Sequence, residues 1–483
     1  MLIILILIPL LGSLIISLIT ENSKKNQIKM KKISLYTTII TFIYSLILWI
    51  LYDNSSSNYQ FVYEFKEINF IQFNLGLDGI SLSFILLTSF ITPIAILSNY
   101  NNINNNLKFF LISFLILESL QLIMFVVLDL FLFYIFFESV LPILFLIIII
   151  YGSGENRIRS ALLLFLYTLF GSLFMLLSIL YIYNYVGSTD FQIISLSEIN
   201  LNNQKLLWLG FFLAFAIKTP LWPFTGWLFR AHADSPLGGS ILLAATILKF
   251  STYGILRILI NFLPDATNYF SPLVQTIAII TLIYASLATI IQQDTKALIA
   301  YSSIAHMAVI TLGLFSNTIL GIEGAILLAL GHGLVSPALF ICVGGIIYER
   351  TGTRIINYIR GLVQYMPIFI ILFFIFTLAN TGIPLSLNFL GEQLSLIGIW
   401  NRSPLIAILG ASSIVLSACY SIWLYNRISY GSYSPHLKPV KDISRREFNL
   451  LITLLIPTIL LGIFPNVILN CLHMAVTNLI FNI

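Results

Sequence analysis

Apolar segments about twenty residues long recur from one end of the chain to the other, separated by short polar stretches. A helix of that length can cross the hydrocarbon core of a bilayer, which is about 30 Å thick. Only 9% of the 483 residues are charged and 59% are hydrophobic, whereas about a quarter of the residues in a soluble domain are charged. The sequence therefore predicts an all-α polytopic membrane protein and excludes a water-soluble globule.

We predict about 14 transmembrane helices, of which two are long and interrupted. The seventh, 205–230, contains Pro220 and Pro223, and the twelfth, 364–400, contains Pro384 after a glycine. Proline removes a backbone hydrogen bond and clashes with the preceding turn, so it breaks or kinks a helix. We therefore expect a broken helix in each of these two segments.

The two interrupted segments belong to a possible internal repeat with an offset of 168 residues. Ser235-Pro236 and Ser403-Pro404 each begin the span that follows an interrupted segment, and the same offset carries Glu138 onto His306. Five spans per copy would give the copies inverted topology, which is typical of transporters; chance similarity among leucine-rich helices is the alternative. The predicted regions are an N-terminal three-helix region (1–106), a first five-helix repeat (107–262), a second, inverted repeat (273–430), and a loop with the C-terminal helix (431–483).

The basic residues indicate how the predicted spans are oriented. Eighteen lysines and arginines lie in loops that follow odd-numbered spans, and four lie on the opposite side. Those four are Lys66, Lys205, Arg257 and Arg402. By the positive-inside rule, both termini then face away from the compartment that holds the basic loops.

Six ionisable residues are predicted to lie inside spans: Glu138, Lys218, Lys249, His306, His332 and Glu392. Such residues are rare in membrane helices, and they commonly mark ion pathways. Glutamate, lysine and histidine can each take up and release protons, and broken helices expose backbone groups that hold water. The alternative is that these side chains only form hydrogen bonds between helices; it is weakest for the two lysines, since an unused buried ammonium is costly.

Several motifs occur in a characteristic order between Asp129 and Tyr430. They are Lys218-Thr-Pro220, Ser235-Pro236, Leu248-Lys249, Asp294-Thr-Lys296, Ala300 to Met307 (AYSSIAHM), Gly331-His332-Gly333, and Leu378 to Pro384 followed by Gly391-Glu392. In this combination the chain resembles the antiporter-like subunits of respiratory complex I. It departs from their pattern at Pro223-Phe-Thr-Gly-Trp227, where the family commonly has a histidine, so no relay role is carried over to that position.

The resemblance implies a role for each of the six residues in proton translocation. Glu138 and Lys218 would form the charge pair of a first half-channel, and Lys249 would be the central connecting lysine. His306 and His332 would be relay positions, and Glu392 the exit-side acid.

The resemblance also implies cofactors, partners and location. NADH, FMN, iron–sulfur clusters and ubiquinone would be bound by other subunits, and this chain would bind neither a cofactor nor a metal. Its partners would be other membrane-arm subunits, especially neighbouring antiporter-like subunits, and membrane lipids, but no nucleic acid. The location would be the mitochondrial inner membrane, with the basic loops in the matrix and both termini in the intermembrane space.

Two other functions remain open at this point. One is a subunit of a multi-subunit cation/proton antiporter, which shares these motifs. The other is a structural membrane subunit whose buried charges only hold helices together and translocate nothing.

Overall fold

A computed structural model describes residues 1–21, 23–64, 73–103 and 105–481. The first helices in chain order are α1 (Leu2–Ser17), α2 (Lys24–Leu51), α3 (Gly79–Ser98), α4 (Leu107–Val126), α5 (Leu130–Tyr151), α6 (Arg157–Val186), α7 (Phe191–Leu196) and α8 (Leu201–Lys218). They are followed by α9 (Leu228–Asp234), α10 (Leu237–Leu242), α11 (Lys249–Gly254), α12 (Pro264–Ile291), α13 (Thr295–Leu314) and α14 (Ile319–Phe340). The last are α15 (Tyr348–Thr351), α16 (Pro367–Asn380), α17 (Leu387–Trp400), α18 (Pro404–Ser429), α19 (Arg445–Ile463) and α20 (Asn466–Phe481).

The strands and non-α helical turns are few. Strands β1 (Gln60–Glu64) and β2 (Asn74–Leu77) pair antiparallel, with Gln60 opposite Leu77. Two 3₁₀ turns span Ile356–Tyr358 and Leu362–Gln364. Lys66, which the sequence placed on the less basic side, lies outside the described residues.

The described helices confirm a polytopic α-helical membrane protein. Among the described residues, eleven helices are long and apolar enough to cross a membrane, and α1, α16 and α20 are shorter apolar helices. The number of fourteen spans stays a prediction. Three of the candidate spans are buried along their whole apolar stretch, namely Leu237–Ile260, Thr295–Leu314 and Ile319–Thr351. A helix that is apolar all round and covered on every side lies in the interior of its bundle.

Both predicted helix interruptions are present in the structure. α8 ends at Lys218 and the next helix begins at Leu228, so Pro220 and Pro223 lie in non-helical chain. α16 and α17 are separated by a short turn that contains Pro384. Gly382 in that turn has φ +73°, a left-handed conformation that glycine adopts most easily.

The C-terminal region 431–483, for which the sequence predicts a single helix, contains two helices. α19 ends at Ile463 and α20 begins at Asn466, with Pro465 between them. The residue before a proline is disfavoured in the α conformation, so the helix ends there. The single-span prediction was wrong because the apolar composition continues across the break.

The chain forms two compact units. The first comprises Met1–Lys218, Thr246–Phe270 and Asn470–Ile483, and the second comprises Thr219–Ala245 and Ser271–Leu469. A division into compact units does not show whether the chain contains an internal repeat. The predicted repeat boundaries at 107–262 and 273–430 therefore stay predictions.

Candidate functional site

Lys218 is the last residue of α8, and its side chain reaches α5 within the first unit. The residue is 1% exposed. Its Nζ atom donates a hydrogen bond to the carbonyl oxygen of Phe137 at 2.8 Å, and it lies 3.3 Å from the centroid of the Phe137 ring and 5.3 Å from that of Phe250. A carbonyl oxygen and aromatic ring faces both attract an ammonium. The lysine is therefore held by groups that carry no formal charge.

Glu138 follows Phe137 in α5, so the acid lies next to the carbonyl that Lys218 contacts. α5 begins where the Asp129 side chain accepts a hydrogen bond from the backbone N–H of Leu132 at 2.8 Å. Pro142 lies four residues after Glu138 and has no N–H. The carbonyl of Glu138 therefore lacks its helical hydrogen bond, and the helix is weakened at the acid.

Glu138 and Lys218 interact electrostatically without forming a close ion pair. The side chains are each other's charged neighbour, yet the three ion pairs within the described residues join other groups. Oε1 of Glu138 is buried and has no hydrogen-bond partner in the described part of the chain. In a poorly polarisable interior, the interaction energy of two charges is large and depends on the distance between them. A small movement of either group therefore changes the free energy of ionising the other.

Lys249 lies between two π-helical segments, Leu243–Ile247 and Ile255–Ile260. The lysine is 0% exposed and is the first residue of α11. Single π turns inside α-helices are frequent at functional sites. The sequence predicted the buried lysine, whereas nothing in its periodicity indicated the π turns.

In the second unit the structure brings together His306, His332 and Glu392. The Nδ1 atom of His306 in α13 lies 3.1 Å from Oε1 of Glu392 in α17. The ring of His332 in α14 has its centroid 5.8 Å from that of His306. All three residues are at most 2% exposed. Residues 86 positions apart in sequence thus form one buried cluster.

Two glycines allow the chain to approach this cluster closely. A Cβ atom on Gly382 would lie 2.8 Å from Oε2 of Glu392, so the turn between α16 and α17 packs directly against the acid. Gly331 directly precedes His332, and a Cβ atom on it would lie 2.4 Å from Oδ1 of Asn388. Larger side chains at these positions would displace the groups that they contact.

The cluster has the chemistry of a proton relay. When Glu392 is ionised it can only accept, so Nδ1 of His306 then donates to Oε1, which leaves Nε2 to accept another proton. Nε2 is buried and has no hydrogen-bond partner within the described residues. A second proton would produce an imidazolium that the neighbouring carboxylate stabilises.

The structure also contains ionic and polar groups that the sequence did not single out. Arg257, counted with the less basic side, is 3% exposed and forms an ion pair with Asp78. Tyr420 of α18 is buried and interacts electrostatically with Glu392. His232 of α9 is also buried, and its ring stacks on that of Phe340 with 4.8 Å between the centroids. None of these belongs to a spacing pattern, so only the fold could reveal them.

The fold and these sites define a helical membrane protein with buried protonatable groups next to helix breaks. The family model described as NADH:quinone oxidoreductase/Mrp antiporter, transmembrane region, matches residues 127–417, which is more than half of the chain. The chain therefore belongs to this family of antiporter-like membrane proteins.

Full-length relatives narrow the assignment to one kind of member. The NADH-ubiquinone oxidoreductase chain 4 of Mycosarcoma maydis is 59% identical over 482 residues and covers 100% of both chains. The protein of the same name from Marchantia polymorpha is 47% identical, over 99% of this chain and 96% of the relative. Within the family, the chain is thus similar over its full length to the chain 4 proteins.

Two solved structures have the same fold. A chain of the respiratory complex I of Thermus thermophilus, solved with bound NADH, is 28% identical, with a TM-score of 0.90 over 100% of this chain and 99% of that one. A chain of the Mrp complex of a Dietzia species is 17% identical, with a TM-score of 0.89 over 99% of this chain and 97% of that one. The second likeness is one of fold alone.

Proposed function

We propose that this chain is a proton-translocating core membrane subunit of the proton-pumping NADH:ubiquinone oxidoreductase, complex I. The observation that carries the proposal is the place of Lys218, a buried ammonium at the end of a broken helix, bonded to the carbonyl of Phe137 beside Glu138. A charge is retained at such a place only when it is used or paired. Family membership and the chain 4 relatives support the same function.

In the first unit, Glu138 controls the charge of Lys218. When the carboxylate is close, its negative charge stabilises the ammonium, and Lys218 holds its proton. When the carboxylate moves away or is itself protonated, the buried ammonium loses that stabilisation and gives up a proton. Quinone reduction elsewhere in the complex drives the change at Glu138, and Lys249 is the next lysine of the predicted path.

In the second unit, the two histidines and Glu392 pass the proton on. His306 takes up a proton at Nε2, and the hydrogen bond from Nδ1 to Glu392 stabilises the resulting imidazolium. His332 exchanges protons with His306, since its ring is the neighbouring imidazole. Transfer of the Nδ1 proton to Glu392 returns His306 to its neutral form and loads the exit-side acid.

The proposal includes the surroundings of the chain. It lies in the mitochondrial inner membrane, with its basic loops in the matrix and both termini in the intermembrane space. It assembles with other membrane-arm subunits, in particular neighbouring antiporter-like subunits. NADH oxidation, the flavin, the iron–sulfur clusters and ubiquinone reduction belong to other subunits, because this sequence has neither a dinucleotide-binding glycine motif nor a cysteine cluster.

The test replaces Lys218 in the assembled complex. Lys218→Met removes the ammonium and keeps an unbranched chain of similar length, so the number of protons pumped per NADH should fall in sealed membrane vesicles. Lys205→Met is the matched control, since Lys205 lies in the same helix and contacts the ring of Tyr269 instead. Unchanged pumping by the Lys218 variant, with the complex fully assembled, would contradict the proposal.

The fold likeness to the Mrp complex makes a cation/proton antiporter subunit the second candidate. That function predicts exchange of sodium for protons in vesicles without NADH, and a chain that purifies without flavoprotein subunits. Proton movement that requires NADH oxidation and is indifferent to sodium supports complex I instead.

A further inference from the structure

A buried carboxyl group that the proposed path does not use lies among α2, α3 and α4. Glu118 of α4 is 0% exposed. Its Oε1 atom lies 2.6 Å from Oγ1 of Thr41 in α2 and 2.9 Å from Oγ1 of Thr92 in α3. One side-chain oxygen therefore joins three helices.

The number of hydrogen atoms available at this contact indicates whether the carboxyl group of Glu118 is protonated. Oγ1 of Thr41 lies 2.7 Å from the carbonyl oxygen of Thr38 and 2.6 Å from Oε1 of Glu118, but a hydroxyl has a single proton to donate. An ionised Glu118 only accepts, so one of the two short contacts of Thr41 would lack a proton. If Glu118 is protonated, its O–H donates to Thr41, Thr41 donates to Thr38, and both short contacts are hydrogen bonds.

On α1, α2, α3 and α5, which pack against α4, no cation lies at the depth of Glu118. The helix α11, which begins with Lys249, contacts α4 at Phe125, seven residues or about 10 Å of helix beyond Glu118. Neither α1 nor α3 contains an ionisable side chain, and the lysines of α2 end at Lys32. Lys32 precedes Thr41 by nine residues, or about 13 Å of helix, and Lys108 of α4 precedes Glu118 by ten, or about 15 Å. The acid of α5, Glu138, would only repel a second carboxylate. An ionised Glu118 would therefore be an uncompensated buried charge.

Polar groups continue on both sides of this carboxyl. Gln121, one turn further along α4, is 0% exposed, and neither polar atom of its amide has a hydrogen-bond partner within the described residues. One turn along α2 and α3, the hydroxyls of Ser45 and Ser89 lie 2.8 Å apart. Hydroxyl, carboxyl and amide groups thus form a row between the mostly apolar helices α2, α3 and α4.

We propose that Glu118 is a second proton-binding site, in which a protonated carboxyl donates to Thr41, accepts from Thr92 and joins α2, α3 and α4 in a neutral form. The ligand is a single proton. The site is separate from the pair formed by Glu138 and Lys218 and does not depend on the proposed path. Loss of the proton would introduce an unpaired charge between the three helices and loosen their packing.

Infrared absorption of the assembled complex in its membrane tests this assignment. The carbonyl stretch of a protonated carboxyl is distinct from the bands of a carboxylate. Comparison with Glu118→Gln should show the loss of one protonated-carboxyl band, and the same band should shift when the wild-type complex is transferred to D₂O. Glu198→Gln, at an exposed acid, should remove carboxylate absorption only. If Glu118→Gln also removes only carboxylate absorption, the proposal is overturned.

A second variant keeps the proposal testable if Glu118→Gln does not assemble. Thr41→Val removes the hydroxyl that accepts the O–H of Glu118 and preserves the shape of the side chain. The protonated-carboxyl band should move to higher frequency, since its hydrogen bonding is weaker. A band at unchanged frequency would contradict the site. Pumping by Glu118→Gln should equal that of the wild type, so this result is independent of the Lys218 test.

Discussion

Nδ1 of His306 and Oε1 of Glu392 lie 3.1 Å apart in a part of the second unit where both side chains are almost fully buried. A neutral histidine can donate one hydrogen bond to the carboxylate and still accept a proton on its other nitrogen. If His306 takes up that second proton, the 3.1 Å contact with the carboxylate becomes a charge-assisted hydrogen bond. This pair is therefore suited to hold and release a proton away from water.

Glu392→Gln should slow proton transfer through this subunit by about 100-fold or more, the usual effect of losing a positioned acid or base. The amide is close in shape to the acid, but it neither stabilises an imidazolium nor takes the proton. The measurement is proton pumping per NADH in vesicles, with NADH oxidation by an artificial electron acceptor as a check on assembly.

Glu198→Gln is the matched control for this substitution, since it makes the same chemical change at an exposed acid. Its pumping should equal that of the wild type. Equal losses in both variants would show that the effect does not come from the contact with His306.

Gly331→Ala should destabilise the second unit by about 1–3 kcal/mol, as expected for overpacking a buried site. Its Cβ atom would lie 2.4 Å from Oδ1 of Asn388, so one of them must move, and His332 is the adjacent residue. The temperature of thermal unfolding and the number of protons pumped per NADH should both decrease. Gly226→Ala is the control, because no atom lies within 4 Å of the added carbon; equal stability of the two variants would contradict this packing.

Asp78→Asn should lower stability by about 3–5 kcal/mol, the usual cost of leaving a buried charge without its partner. Arg257 is 3% exposed and pairs with Asp78. Asparagine is as good a helix N-cap as aspartate, so the cap that residue 78 provides to Ser81 should be retained.

The thermal stability of the purified complex measures this effect, with Arg402→Met as the control at an exposed arginine. Adding Arg257→Met to Asp78→Asn should recover part of the loss, since the unpaired charge is then absent. A single Asp78→Asn variant as stable as the wild type would show that the ion pair contributes nothing.

The sequence predicted the fold class and the two helix interruptions because these depend on local composition. An apolar segment of membrane-spanning length forms a helix locally, and the prolines at 220, 223 and 384 interrupt the helix at their own positions. The π-helical turns on either side of Lys249 were not predicted. They depend on how one helix packs against others, which periodicity does not encode.

For the candidate site, the sequence predicted which side chains would be buried but not which would touch. It paired Glu138 with Lys218, whereas the nearest polar contact of Lys218 is the carbonyl of Phe137. Lys296 was named only within the motif Asp294-Thr-Lys296, yet this residue is 4% exposed and donates to the carbonyl of Ser235 at 2.6 Å. Contacts between residues this far apart in sequence follow from tertiary packing alone.

The most direct test of the central claim is proton pumping per NADH in the Lys218→Met, Glu138→Gln and doubly substituted complexes. If the two residues act as one unit, each single variant loses pumping, and the double variant loses no more than the worse single one. Losses that multiply in the double variant would show that the residues act independently. Full pumping in any of the three assembled complexes would contradict the account of Lys218 as a proton carrier controlled by Glu138.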